Sequence, residues 1–136
     1  MTNEKRFLVT LLVGFGSVGL IVAGAGVWFF FGDSIRERLC RQRFDAVAWR
    51  ANVHSFTNAV RIRMVDDLLH HYRFRGMTRE EVTGIVGEPD NTEYFKEWDL
   101  VYRLGPERGF ISIDSEWLVF RLDGQKKVTD YRIVRD

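Results

Sequence analysis

Residues 7–32 contain no charged side chain, and this feature limits what the chain can fold into more than any other. As one α-helix the run would reach about 39 Å, whereas about 20 residues suffice to cross the hydrocarbon core of a bilayer. Lys5 and Arg6 precede it as in a signal peptide, but the apolar run continues to Phe31, a length that suits an uncleaved anchor. The sequence therefore predicts an N-terminal tail (1–6) and a transmembrane helix (7–32).

The glycines of this run have the spacing Gly14-x-Gly16-x-x-Gly19, which is that of a dinucleotide-binding loop. Asp33 lies at about the distance where such folds place the acid that binds the ribose. A nicotinamide-linked enzyme is therefore one hypothesis. The helix after the glycines is apolar on every side, however, and the rest of the chain does not supply the further parallel strands that this fold needs. The membrane helix is the favoured interpretation.

Small residues also recur along one side of the predicted span, at Gly16, Gly19, Ala23 and Gly26. Such a stripe lets two membrane helices approach closely. One interpretation is a helix–helix contact, with a homo-oligomer or another membrane protein as the result. The other is that this side of the helix faces lipid. The first interpretation gives an alternative function, that of a structural, oligomeric single-pass membrane protein.

Charge and residue counts exclude several classes of function. Lys and Arg number 20 and Asp and Glu 19, so there is no electrostatic reason to expect a nucleic-acid partner. Cys40 is the only cysteine, which excludes an internal disulfide and a cysteine-based zinc site. His70 and His71 are adjacent on a predicted helix and point about 100° apart, so they cannot readily share a metal. We predict no catalytic, metal-binding or cofactor-binding residue, no cofactor and no enzymatic activity.

Helical patterns follow the span. Residues 33–59 are polar and predict a partly helical juxtamembrane segment, and residues 59–72 have the apolar periodicity of an amphipathic helix. The next helix has the clearest local signals. Thr78 is a natural N-cap, Glu81 completes a capping box, and Gly87 supplies the C-terminal cap.

Beyond residue 90 the pattern changes to the alternation of β-strands. Strands are predicted over 98–104, 116–122 and 127–134, and residues 110–113 are a further short strand or part of a long hairpin arm. Short connections between them predict an antiparallel meander. The predicted fold class is thus α+β: a transmembrane helix, then a small two-layer domain in which two helices pack on a three- to four-stranded antiparallel sheet.

One face of this sheet is rich in apolar residues and is expected to pack under the helices. The opposite face is also unusually apolar and basic, and its candidate partner-binding residues are Arg103, Trp117, Val119, Arg121 and Arg132. Tryptophan among arginines is typical of protein-binding surfaces. Two alternatives stay open: a solvated second face, which is normal for antiparallel sheets, and coverage by the juxtamembrane helix.

The order of these elements resembles a known family. A membrane attachment, a helix opening with "GMTREEV" and closing with "GEPD", and a sheet ending in "WLVFRLDGQKKVTDYRIV" are similar to the SmpA/OmlA (BamE-like) family of small envelope lipoproteins. The resemblance covers about residues 60–135 and is strongest over 76–90. It implies an ααβββ domain over 60–136 that performs no catalysis and binds other envelope proteins. The lipobox cysteine of the family is missing, and a predicted span stands in its place.

These observations together predict a membrane-anchored, non-catalytic protein-binding module of the bacterial cell envelope that aids envelope or outer-membrane protein assembly. The expected location is the inner membrane, with a single span and the C-terminal domain outside the cytoplasm. The count of Lys and Arg beside the span favours the opposite orientation. The side of the membrane therefore stays open at this stage.

Overall fold

The computed structural model describes residues 5–6, 20–28, 40–52, 59–108 and 113–136. The chain divides into two compact units, Met1–Arg36 and Glu37–Asp136.

The first unit corrects the predicted fold class. Residues 20–28 are helical and almost entirely exposed. Among the described residues, no helix is long and apolar enough to cross a membrane. The transmembrane helix predicted over 7–32 is therefore not seen, and the rest of that segment lies outside the described residues.

The second unit is an α+β domain, as the order of helices first and strands after them predicted. Its elements are three helices, α1 (Ala46–Ala51), α2 (Val60–His71) and α3 (Arg79–Val86), and three strands, β1 (Leu100–Pro106), β2 (Ser115–Leu122) and β3 (Val128–Arg135). The strands form one antiparallel sheet in the order β1-β2-β3. Of the tentative strand over 110–113, only Ile113 is described; it is exposed and belongs to no strand.

The main hydrophobic core lies between the helices and one face of the sheet. Every second residue of β1 and β2 points into it, as the period of a strand requires. Trp49 of α1 is fully buried in the same core and packs edge-on against Phe44. The largest contributors from the remaining elements are Leu68, Phe74, Val82, Leu100, Tyr102, Leu118 and Phe120. Helix α1 therefore belongs to the helix side of the sheet and does not cover the opposite face.

Helix α3 has the predicted caps. The Thr78 hydroxyl accepts a hydrogen bond from the Glu81 N–H at 3.2 Å, and the Glu81 carboxylate accepts one from the Thr78 N–H at 2.7 Å. The helix ends at Gly87, which has a φ of +85°. The Tyr102 hydroxyl donates to the Gly87 carbonyl at 2.9 Å, and burial raises the pKa of this tyrosine. The C-terminal end of α3 is therefore attached to β1.

Replacing Thr78 with Ala should lower the free energy of unfolding by about 1 kcal/mol, because the Glu81 N–H loses its side-chain acceptor. Urea denaturation measures the effect. Thr83→Ala is the matched control, since the Thr83 hydroxyl donates only to the Glu80 carbonyl inside the same helix. Equal losses for the two variants would mean that the cap does not stabilise the domain.

Candidate protein-binding surface

The outer face of the sheet, opposite the helices, is covered by the loop of residues 91–99, called here the covering loop. Trp117, Val119 and Val101 form a second hydrophobic cluster on this face, and Phe95 and Trp98 of the loop pack against it. Trp117 is only 4% exposed and Val119 is fully buried. The structure therefore places these two predicted partner-binding residues beneath the loop, where they hold it in place.

The chain enters the covering loop at Asp90, which is fixed by hydrogen bonds to three residues. Its backbone N–H donates to the Val101 carbonyl at 2.9 Å. Its carboxylate accepts from the Arg103 N–H at 2.7 Å and from Arg61 Nη1 at 2.9 Å. Arg61 and Asp90 form a buried ion pair, with side chains 1% and 4% exposed. This pair joins helix α2 to the start of the covering loop.

Arg61 is held by two backbone carbonyls as well as by Asp90. Its Nε donates to the Trp49 carbonyl at 3.0 Å and its Nη1 to the Arg103 carbonyl at 3.2 Å. Burial lowers the pKa of Arg61, and the nearby Asp90 carboxylate acts in the opposite direction. The buried positive charge of Arg61 therefore depends on the Asp90 carboxylate as its counter-charge.

The covering loop ends at Asp99, which is fixed in a similar way. Its N–H donates to the Phe120 carbonyl at 3.0 Å, and its carboxylate accepts from the Leu122 N–H at 2.7 Å. An aspartate thus bonds the sheet backbone at each end of the loop. The side chains between these two points are positioned by the sheet below them.

Two arginines of the sheet contact the indole ring of Trp98. The guanidinium carbon of Arg121 is 4.5 Å from the centre of the indole ring, and that of Arg132 is 4.9 Å away. Both distances are within the range of cation–π attraction. Tyr94 packs against Trp117 with ring centres 5.4 Å apart and remains 55% exposed. Tyr94, Trp98, Arg121 and Arg132 are called here the basic aromatic patch.

The two arginines of this patch differ in their charge partners. Arg132 forms an ion pair with Asp130 at 2.8 Å. No described carboxylate lies within ion-pair distance of Arg121, whose contact is the Trp98 ring. The patch therefore presents at least one exposed positive charge beside aromatic rings.

Arg103, the remaining predicted residue, lines a cleft of about 290 Å³ beside Tyr94. Its guanidinium donates to the Ser115 hydroxyl at 3.0 Å. In the same cleft the Trp117 Nε1 donates to the Asp136 carboxylate at 3.2 Å. Since these polar groups bond one another, the cleft adds mainly its shape next to the basic aromatic patch.

The histidines and the small-residue stripe lie away from this patch. His70 and His71 have nearly perpendicular rings on α2, and no group of three potential ligands among the described residues could hold a metal. Ala23 and Gly26 lie in the helical stretch 20–28, while Gly16 and Gly19 fall outside the described residues. Association through that stripe stays a prediction.

The chain was compared with protein-family models, curated proteins and solved structures. None of them matches it. The likeness to SmpA/OmlA proteins therefore rests on the quoted motifs and the order of elements alone.

Sequence reasoning missed Tyr94 and Trp98, the aromatic half of the patch. Tyr94 lies in "EYFKEW", residues 93–98, which is not assigned to a helix, and Trp98 is the first residue of the strand predicted over 98–104, whereas β1 begins at Leu100. The one signal was composition, because three aromatic residues in six are unusual for a loop that meets only water. The pairing of Arg61 with Asp90 had no signal in the sequence, since the two residues are far apart in the chain.

Proposed function

We propose that the second unit is a non-catalytic protein-binding module of the bacterial cell envelope. The observation that carries the proposal is the basic aromatic patch, in which the Trp98 ring contacts both Arg121 and Arg132. Tryptophan, tyrosine and arginine are the residues that contribute most often to binding energy at protein interfaces. The resemblance to SmpA/OmlA proteins adds the envelope as the setting and another envelope protein as the partner.

The patch also has the rigidity that favours binding. Asp90 and Asp99 fix the covering loop at both ends, so little conformational entropy remains to be lost when a partner docks. Arg121 favours a partner with acidic side chains, because a carboxylate approaching the patch would find a guanidinium that no described acid neutralises. An acidic surface with a flat apolar area would match the patch best.

Photo-crosslinking in living cells tests this proposal. A photoreactive phenylalanine derivative replaces Tyr94, whose exposed ring can accept the change. The matched control carries the same group at Gln125, an exposed position in the turn between β2 and β3. We expect one adduct of defined mass from position 94 and none from position 125, and at least a fivefold loss of that adduct when Arg121→Glu is added. Adducts of equal yield at both positions, or no adduct at 94, would contradict the proposal.

The compartment is tested separately with Cys40, which is exposed and is the only cysteine of the chain. A membrane-impermeant maleimide is added to intact spheroplasts, and lysed cells show that the thiol reacts. Labelling before lysis is expected, because the proposal places this unit outside the cytoplasm. Labelling only after lysis would contradict the envelope location. The protein-binding module would then lie in the cytoplasm.

A further inference from the structure

The outer edge of strand β1 is closed by hydrogen bonds from elsewhere in the domain. The Val101 carbonyl accepts from the Asp90 N–H, and the Arg103 N–H donates to the Asp90 carboxylate. The Arg103 carbonyl accepts from Arg61 at 3.2 Å. Three of the four backbone groups that Val101 and Arg103 present to an additional strand are thus occupied, which disfavours further pairing of β1.

The register of the sheet shows which groups of β3 point outward. Backbone groups of successive residues in an antiparallel ladder point alternately to the two sides. Since those of Val101 point away from β2, the pair Tyr102–Leu118 carries hydrogen bonds between β1 and β2. The pair Val119–Arg132 then carries the bonds between β2 and β3.

It follows that Tyr131, Ile133 and Arg135 direct their backbone N–H and C=O groups away from the sheet. Within the part of the chain that the structure describes, none of these backbone groups has a hydrogen-bond partner. Only the beginning of the strand is occupied, where Val128 bonds to Met77 and Gly76. The open edge therefore extends over residues 131–135.

We propose that this open edge pairs with the same edge of a second copy of the chain. The two β3 strands run antiparallel about a two-fold axis, with Ile133 opposite Ile133 of the second copy, and the two sheets become one sheet of six strands. Open strand edges are templates for such pairing. Closed two-fold dimers are also the commonest assemblies of soluble proteins.

The side chains favour this register over an axis at Arg132, and the backbone favours it over an axis at Tyr131. With Ile133 on the axis, Tyr131 lies opposite Arg135 and Arg132 lies opposite Val134, so no like charges meet between residues 131 and 135. An axis at Arg132 would place two guanidinium groups face to face, which is destabilising. An axis at Tyr131 would bring the second copy against the backbone that already bonds Val128.

Pairing in this register is supported by apolar contacts. Tyr131, Ile133 and Val134 are only partly buried at the edge, and a second strand would cover them. Asp130 and Asp136 of the two copies come opposite each other at the ends of the paired segment. Each is already bonded within its own chain, Asp130 to Arg132 and Asp136 to the Ser115 N–H.

Light scattering of the full chain after size-exclusion chromatography tests the proposal. We expect a mass twice the 16.0 kDa of one chain. Ile133→Pro should raise the dimer dissociation constant at least tenfold, because proline removes an outward N–H and leaves the β2–β3 bonds intact. Ile133→Val keeps this N–H and should change the constant less than threefold. A monomer at all concentrations, or a dimer with equal affinity in both variants, would overturn the proposal.

Disulfide trapping tests the register without relying on proline. Cys40→Ser removes the natural thiol, and Arg132→Cys and Val134→Cys are made in separate chains. Opposite residues at such a non-hydrogen-bonded position lie about 4.5 Å apart between Cα atoms, within the range of a disulfide. An oxidised mixture of the two chains should give at least fivefold more crosslinked dimer than either chain alone. Equal yields, or a higher yield from Arg132→Cys mixed with Thr129→Cys, would exclude the register and with it the proposal.

Discussion

Asp90→Ala is expected to lower the free energy of unfolding by about 3–5 kcal/mol, the loss typical when one partner of a buried ion pair is removed. Arg61 is 1% exposed, so its guanidinium would stay in the interior without a counter-charge. The Arg103 N–H would lose its acceptor in the same variant. Urea denaturation of the full chain, followed by circular dichroism, measures the loss.

The control for Asp90 is Asp130→Ala, which removes the same side chain from an exposed pair with Arg132. Exposed pairs contribute at most about 1 kcal/mol, so the two variants should differ severalfold. A second check is the double variant Arg61→Met with Asp90→Ala, which removes the uncompensated charge and should recover part of the lost stability. Similar losses for Asp90→Ala and Asp130→Ala would mean that the buried pair does not hold the covering loop.

Trp117→Ala is expected to lower the free energy of unfolding by about 3–5 kcal/mol, as large-to-small changes of buried aromatic residues do. Trp117 is 4% exposed and contacts Phe95 and Tyr94 of the covering loop. Its removal would leave a cavity under the loop and release the loop from the sheet. The loss is read from the same urea experiment.

Tyr94→Ala is the matched control for Trp117, because it removes the second ring of the same aromatic pair. Tyr94 is 55% exposed, so removing its ring should lower the free energy of unfolding by only about 0.5–1.5 kcal/mol, the contribution of an aromatic pair. If Trp117→Ala lowered the free energy of unfolding as little as Tyr94→Ala, Trp117 would be a surface residue. The sequence interpretation of this face as a partner-binding surface would then be retained.

Local signals predicted local structure well. The capping box of Thr78 and Glu81 needs only residues three apart, so the sequence determines it without help from the rest of the fold. The alternation of β2 likewise placed Trp117 and Val119 on the face opposite the helices. The two-residue period of a strand does not show what covers that face of the sheet. Residues 91–99 have no periodicity from which their packing on that face could be predicted.

The same local signals did not predict the long-range pairs, and their prediction for the N-terminal run was wrong. Arg61 and Asp90 meet only because α2 packs beside β1, which no local pattern encodes. The partly helical juxtamembrane segment predicted over 33–59 is helical over Ala46–Ala51 among its described residues, and the buried Trp49 of this helix belongs to the main core. Hydropathy predicted a transmembrane helix over 7–32 from composition alone, and no such helix is seen among the described residues.

The hydrogen bonds of Asp90 at the edge of β1 have a consequence for the size of any assembly. A sheet with two open edges can add copies without end, which is how fibrils grow. Here the edge of β1 is occupied by hydrogen bonds from within the domain. Pairing through β3 therefore uses the remaining edge, and the assembly stops at two chains. The carboxylate that neutralises a buried arginine thus also occupies the Arg103 N–H, one of the three β1 groups whose hydrogen bonds limit the assembly to a pair.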